Sequence, residues 1–293
     1  MPYVTVGSEN SSDIKIYYED HGSGSPVVLI HGFPFSGAAW EKQEAALLKS
    51  KYRVITYDRR GFGQSSHPST GYNYDTFADD LQKLITELNL KDVTLIGHSM
   101  GTGEVARYLG TFGSARISRA VFIAPIPPFL LKTADNDSGV DASVFEEKKS
   151  AIIADRPHYI AEFIKNFYKT EKNLGSPVSS EKSQMDFNVG TSASAIATLA
   201  CVSTFVTDFR PDLLKINIPC LVIQGNADAV LPFESTGRLL AKTLNSRLVE
   251  IEDGPHGIPW THAEILNKEI LEFMSEPKES KSINEAIIIG TFS

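Results

Sequence analysis

Two cysteines, Cys201 and Cys220, are too few in 293 residues for a disulfide scaffold, and a lone pair fits a reducing compartment with both thiols free. Positive charge is also scarce. Lys plus Arg total 28 against 36 Asp plus Glu, a formal charge of -8 that leaves no basic surplus to draw phosphate backbones or anionic lipid. Nucleic acid is therefore not an expected partner. No apolar run reaches the ~18 residues of a membrane span, and residues 1–22 lack a basic start followed by a long apolar stretch. The expectation is a cytoplasmic protein without a membrane segment. No His/Cys/Asp cluster has metal-ligand spacing, and Gly61-Phe62-Gly63 lacks the preceding strand and the glycine spacing of a nucleotide loop, so neither a metal nor another cofactor is expected. What the chain does have is 42% hydrophobic residues, enough for one large domain or two ordinary ones.

Apolar runs alternate with helical patterns through the first half, which implies strands feeding crossover helices in a largely parallel sheet. Residues 14–19 alternate with period two and suit an early antiparallel strand. Residues 26–30, 53–57, 93–96 and 120–124 are almost continuously apolar, as strands buried on both faces must be. Helices are expected at 37–50, after an Asp75 cap, and at 100–109. From residue 125 the rhythm changes to helical patterns broken at 135–139 and 173–180, then strand and helix alternate again at 219–223, 234–244, 247–251 and 262–273. The implied division is a core segment 1–127, an inserted helical cap 128–207, a second core segment 208–277 and a tail 278–293. Within that tail, Ala286-Ile287-Ile288-Ile289 suits an added strand, a docking peptide or a remnant foreign to the fold.

Gly97-His98-Ser99-Met100-Gly101 fits G-x-S-x-G, a pattern that chance alone supplies roughly 0.1 times in 300 residues. Its position gives it weight. It directly follows the apolar run 93–96 and precedes a helical pattern, so a strained strand-to-helix turn would lift the Ser99 hydroxyl out of the sheet. A serine hydroxyl is a weak nucleophile at neutral pH and needs a base and a group to orient that base. His256, in a loop after the last core strand, is the expected base, whereas His98, adjacent to the serine, projects the other way and is read as packing. Asp228 follows the strand at 219–223 and reaches the same sheet edge. Asp253 and Glu252, only three or four residues before His256, would need a sharp fold-back. The order Ser99, Asp228, His256 is that of α/β-hydrolases. An oxyanion needs two backbone N–H donors: Met100, at a helix N-terminus, and Phe33, because Pro34 has none. An apolar pocket lined by Phe33, Met100, Ile126 and Ile258, with Phe163 or Phe167 from the cap, completes the expected site, and the Met100 thioether is an expected peroxide target. Asp58 and Arg59 are read as braces of the oxyanion loop.

His31-Gly32-Phe33-Pro34-Phe35-Ser36-Gly37, the run from Tyr57 to Ser66, the run from Gly97 to Tyr108, and Pro255-His256-Gly257-Ile258-Pro259-Trp260-Thr261-His262 carry a resemblance over most of both core segments. Through them the chain resembles the α/β-hydrolase fold and, within it, the cofactor-free haloperoxidase, perhydrolase and esterase group. The resemblance implies a mostly parallel eight-stranded sheet flanked by helices, an acyl-enzyme formed from a small ester or carboxylic acid, and water or hydrogen peroxide as the second reactant. With peroxide the product is a peracid, which oxidises halide without metal or haem, and Pro34 stands where the family's proline is associated with that reaction. Two positions depart from the pattern: many relatives have Trp at Phe33 and Gly at Thr102. Lactamase and other specialised hydrolase activities share the same triad, a ligand receptor on this fold is the non-enzymatic alternative, and a homo-oligomer is compatible with all of them.

Overall fold

The computed structural model describes residues 2–277 and 286–289. Its elements run β1 (Tyr3–Glu9), β2 (Ser12–His21), β3 (Pro26–Ile30), α1 (Glu41–Lys49), β4 (Arg53–Tyr57), α2 (Tyr74–Glu87), β5 (Val93–His98), α3 (Met100–Phe112) and β6 (Ile117–Ile123). Helices then take over: α4 (Ala142–Tyr168), α5 (Thr170–Asn173), α6 (Ser180–Ser192), α7 (Ala195–Thr204) and α8 (Arg210–Leu213). The alternation resumes with β7 (Cys220–Gly225), α9 (Leu239–Leu244), β8 (Arg247–Ile251), α10 (Ile258–Thr261), α11 (Ala263–Ser275) and β9 (Ala286–Ile289).

The strands form one sheet in the order β1-β2-β4-β3-β5-β6-β7-β8-β9, antiparallel where β1 meets β2 and β2 meets β4, parallel from there on. The expected eight strands are present, and β9 adds a ninth at the β8 edge, with Leu248 opposite Ala286. Alternate residues of the apolar runs feed two cores, because successive side chains leave a strand on opposite faces. Val28 and Ile30 pack with α2 and α3, through Phe77, Leu81, Leu84 and Val105. Val27 and Leu29 pack on the other side, with Leu47 of α1 and Leu266 and Ile270 of α11. Both cysteines are free and buried.

Several local expectations are corrected by capping and sterics. Asn73, not Asp75, caps α2, its side chain accepting the Thr76 amide at 2.9 Å, while Asp75 in the first turn pairs with Arg107. Residues 37–40 form a tight 3-10 turn before α1 begins. The first strand, β1, alternates Val4 and Val6 inward over only seven residues, too brief a signal to separate from a loop. Long α4 is two pieces. Asp155 is extended (φ -158°, ψ 87°) and its Oδ1 accepts the His158 amide at 3.0 Å, so Pro157 sits in the first turn of a new helix, where it removes no needed N–H. The first piece buries Phe145 and Ile152 in the main core, whereas the second buries Ile160, Ile164 and Phe167 in a separate cluster with Phe35 and Val178.

Candidate active site

Four loops leave the carboxyl ends of β3, β5, β7 and β8 and converge, as ligand-binding loops do in open α/β sheets. Ser99 closes β5 with φ 52° and ψ -120°, a strained backbone that surrounding packing must hold. The packing is close enough to require glycine on both sides. A Cβ on Gly97 would lie 2.6 Å from the Gly101 carbonyl oxygen, and one on Gly101 would lie 2.2 Å from that of Ile30. Thr102 then ties the turn down: its hydroxyl donates to the Ser99 carbonyl at 2.5 Å and accepts the Ile126 amide at 3.0 Å.

The Ser99 hydroxyl lies 2.8 Å from His256 Nε2, and His256 Nδ1 lies 2.7 Å from Asp228 Oδ2, all with buried side chains. Asp228 is held from the other side. Its Oδ1 accepts the amides of Val230 (2.8 Å) and Leu231 (2.9 Å), and Gln224 Nε2 donates to Oδ2 at 3.1 Å. Burial raises the Asp228 carboxyl, but the His256 charge and hydrogen bond and the two backbone amides outweigh it and hold the group below its usual range. A carboxylate so placed keeps the His256 proton on Nδ1 and leaves Nε2 free to accept from Ser99. The rival Asp253 is exposed and pairs instead with Lys172 at 2.8 Å.

Beyond the triad, the amides of Met100 and Phe33 have no hydrogen-bond partner among the described residues. The peptide that carries the Phe33 amide is fixed through its other end. His31 Nδ1 donates to the Gly32 carbonyl at 2.8 Å, and the Arg59 amide donates to His31 Nε2 at 2.9 Å, which assigns the proton to Nδ1. Burial, then the Arg59 charge, push the His31 imidazole well below its ordinary value, so it stays neutral. Arg59 in turn donates to the His31 carbonyl (3.0 Å) and to Glu104 (2.7 Å), with Tyr57 on the other Glu104 oxygen. Asp58 accepts the amides of Gly37 and Gln64, each at 2.7 Å. Sequence reasoning read Asp58 and Arg59 as braces but missed Glu104, which only the fold brings beneath β3.

A cavity of about 190 Å³ opens on Ser99. Phe33, Ile126 and Phe163 line it as expected, joined by Leu130, Phe205 and Leu231 and by Val144, Phe145 and Lys148 of α4. Two expected lining residues are elsewhere. Ile258 is wholly buried in the core on the opposite face of the sheet, with Val249, Ile251 and Leu266, because α10 turns away from the site. The Met100 side chain is likewise sealed, its sulfur 4.0 Å from the Arg59 guanidinium, so it meets no peroxide in the cavity. Phe167 packs edge-on against the His256 ring at 5.3 Å instead of lining the cavity. His98 packs as expected and also acts: its Nε2 donates to the His256 carbonyl at 3.1 Å, and burial together with the His256 charge pushes its imidazole down to about 3. Away from this cavity, Glu19 and His21 of β2 and Glu44 of α1 bring three metal-capable atoms within 4.8 Å of one another, a surface grouping that sequence spacing does not reveal.

The sequence profile of the alpha/beta hydrolase fold matches residues 25–263. The chain belongs to that family. A Synechocystis protein with a provisional non-heme chloroperoxidase name is 56% identical over 275 residues, 94% of this chain and 100% of that one. A bifunctional esterase/perhydrolase of Acinetobacter calcoaceticus is 32% identical over 278 residues, 94% and 99% of the two chains. Among solved structures, the bromoperoxidase of Bacillus anthracis superposes with a TM-score of 0.90 at 46% identity, covering 94% of this hydrolase and 99% of that chain. No helix among the described residues of this α/β-hydrolase is long and apolar enough to cross a membrane.

Proposed function

We propose that this α/β-hydrolase is a cofactor-free serine esterase and perhydrolase acting on short acyl groups through an acyl-enzyme. The observation that carries the reading is the continuous relay from Asp228 through His256 to Ser99, facing a cavity lined mostly by apolar side chains beside two amides that have no partner among the described residues. Ser99 Oγ attacks the acyl carbon as its proton passes to His256 Nε2. The tetrahedral oxyanion accepts from the Phe33 and Met100 amides, and removing one such donor costs on the order of 3 kcal/mol of transition-state stabilisation. Collapse expels the alcohol, which takes the proton from His256, and leaves the acyl on Ser99. Water or hydrogen peroxide then gives a proton to His256 and attacks the acyl carbon; the bond from that carbon to Ser99 Oγ breaks, His256 returns the proton to Oγ, and the acid or peracid departs. A peracid oxidises halide to hypohalous acid by transferring one oxygen and its proton, returning the carboxylate.

Names of relatives support the second branch, since they include an esterase/perhydrolase and haloperoxidases. Residues 128–207 serve as the cap over this site, flanked by the core segments 1–127 and 208–277, and the two free, buried cysteines fit a cytoplasmic setting. The test is turnover of p-nitrophenyl acetate with and without peroxide, followed by monochlorodimedone halogenation in the presence of acetate, peroxide and halide. Wild-type protein cleaves the ester and halogenates, and His256→Ala does neither while remaining folded. Undiminished ester cleavage by that variant would sink the triad. Ester cleavage with acyl transfer to peroxide no greater than its share of the solvent would sink the perhydrolase branch.

A further inference from the structure

Among the described residues that line the cavity opening on Ser99, Lys148 alone carries a formal charge at neutral pH, with Ser99 and Tyr159 adding hydroxyls. Lys148 of α4 lines it, most of its side chain is out of water, and no hydrogen bond or ion pair engages its ammonium among the described residues. Its charged neighbours on the same helix behave differently: Glu146 and Lys149 pair with each other at 2.7 Å on the outer surface. Helical spacing explains the contrast, because Val144, Phe145 and Lys148 stand at i, i+1 and i+4 on one stripe, and all three face the cavity. The side chain is partly buried, which lowers the proton affinity of the ammonium, and no protein group answers its charge among the described residues. Nothing in the triad or the oxyanion loop uses this group. An anion carried into the cavity by the substrate would supply the missing partner.

We propose that Lys148 selects acyl groups that end in a second carboxylate, binding that distal carboxylate while Ser99 attacks the acyl carbon at the other end. The proposal deepens the esterase reading by naming its substrate class: half-esters of short dicarboxylic acids. Ser99 and Lys148 line the same cavity of about 190 Å³, so one acyl group can meet both. Phe145 and Phe205 in the wall lower the local polarity, which strengthens a charge pair there relative to one at the open surface.

The experiment compares monoethyl glutarate with ethyl pentanoate, equal in acyl carbon number and differing in the distal carboxylate, by pH-stat for wild-type, Lys148→Met and Lys148→Arg proteins. Each protein is scored by the ratio of kcat/KM for the two esters, so a general change in activity cancels. Wild type favours the half-ester at least about tenfold, about 1.4 kcal/mol. Lys148→Arg keeps that preference, and Lys148→Met loses it mainly through KM. A ratio that moves less than about twofold between wild type and Lys148→Met overturns the proposal, whatever the absolute rates. Should wild-type protein cleave neither ester, the esterase reading fails first, and the cation is judged separately by thermal shift with free glutarate. Stabilisation of wild type but not of Lys148→Met supports the anion site, and equal shifts, or none in either, refute it.

Discussion

Asp228→Asn removes one charge from the triad and almost no volume, and the surrounding donors determine how the new amide settles. An NH2 group at the Oδ1 position would face two backbone donors, Val230 and Leu231 at 2.8 and 2.9 Å. At the Oδ2 position it faces Gln224 Nε2 and the His256 ring, and only the ring can answer by moving its proton. Gln224 cannot turn over, since its Oε1 accepts from Thr236 Oγ1 (3.0 Å) and the Gly237 amide (2.9 Å). The amide oxygen therefore takes the backbone pair and the NH2 points at His256 Nδ1. His256 must then accept there and carry its proton on Nε2, aimed at Ser99, where it can no longer take the serine proton. Loss of the correct tautomer in such a relay costs about 10⁴ in kcat, about 5 kcal/mol of barrier. The assay is steady-state turnover of p-nitrophenyl acetate, with circular dichroism to show that the fold persists. A fall of less than about a hundredfold in a folded variant would refute the tautomer argument.

Other consequences follow from the groups around the triad. Thr102→Val keeps the shape but strands the buried Ile126 amide and leaves the Ser99 carbonyl with the Thr102 amide alone, so denaturant unfolding should show a loss of about 1–3 kcal/mol that Thr102→Ser largely avoids. Equal stability of the Val and Ser forms would count against the tether. Gly101→Ala drives a Cβ into the Ile30 carbonyl, and a cost on the order of 3 kcal/mol is expected in the same experiment; a cost below about 1 kcal/mol would mean that β3 and α3 can separate freely. His98 titrates at about 3 when folded against 6.5 when exposed, so the unfolded chain takes the proton first. Its contribution is intact above pH 6.5 and is lost as pH falls toward 3, amounting to about 2 kcal/mol between pH 7 and 5. Unfolding free energies across that range should therefore fall less steeply in His98→Gln than in wild type, and parallel slopes would contradict the assignment.

The sheet and its nucleophile were legible because buried strands leave unbroken apolar runs and because Gly97 and Gly101 stand where a Cβ cannot fit. Triad order was legible for the same reason: each member follows a strand, and strand ends share an edge. What stayed hidden depends on direction, not on position along the chain. Ile258 lies two residues beyond His256, yet its side chain serves the opposite core. Met100 supplies an amide to the site while its thioether points into the Arg59 network. Glu104 and Lys148 sit on helices whose charged residues read as solvent-facing until the packing shows which stripe turns inward.

The break at Asp155 lets one helix serve the site with both of its halves. Val144, Phe145 and Lys148 lie before it and Tyr159 and Phe163 after it, all on the cavity, while Phe167, farther along the second half, packs against the His256 ring. The buried residues of the two halves belong to different clusters, Phe145 and Ile152 to one and Ile160, Ile164 and Phe167 to the other. A substitution at Val144, Phe145 or Lys148 therefore changes the cavity wall outside the cluster that holds Phe167 against the imidazole. A lineage diverging in substrate would be expected to vary first at those three positions and to hold Phe167 fixed.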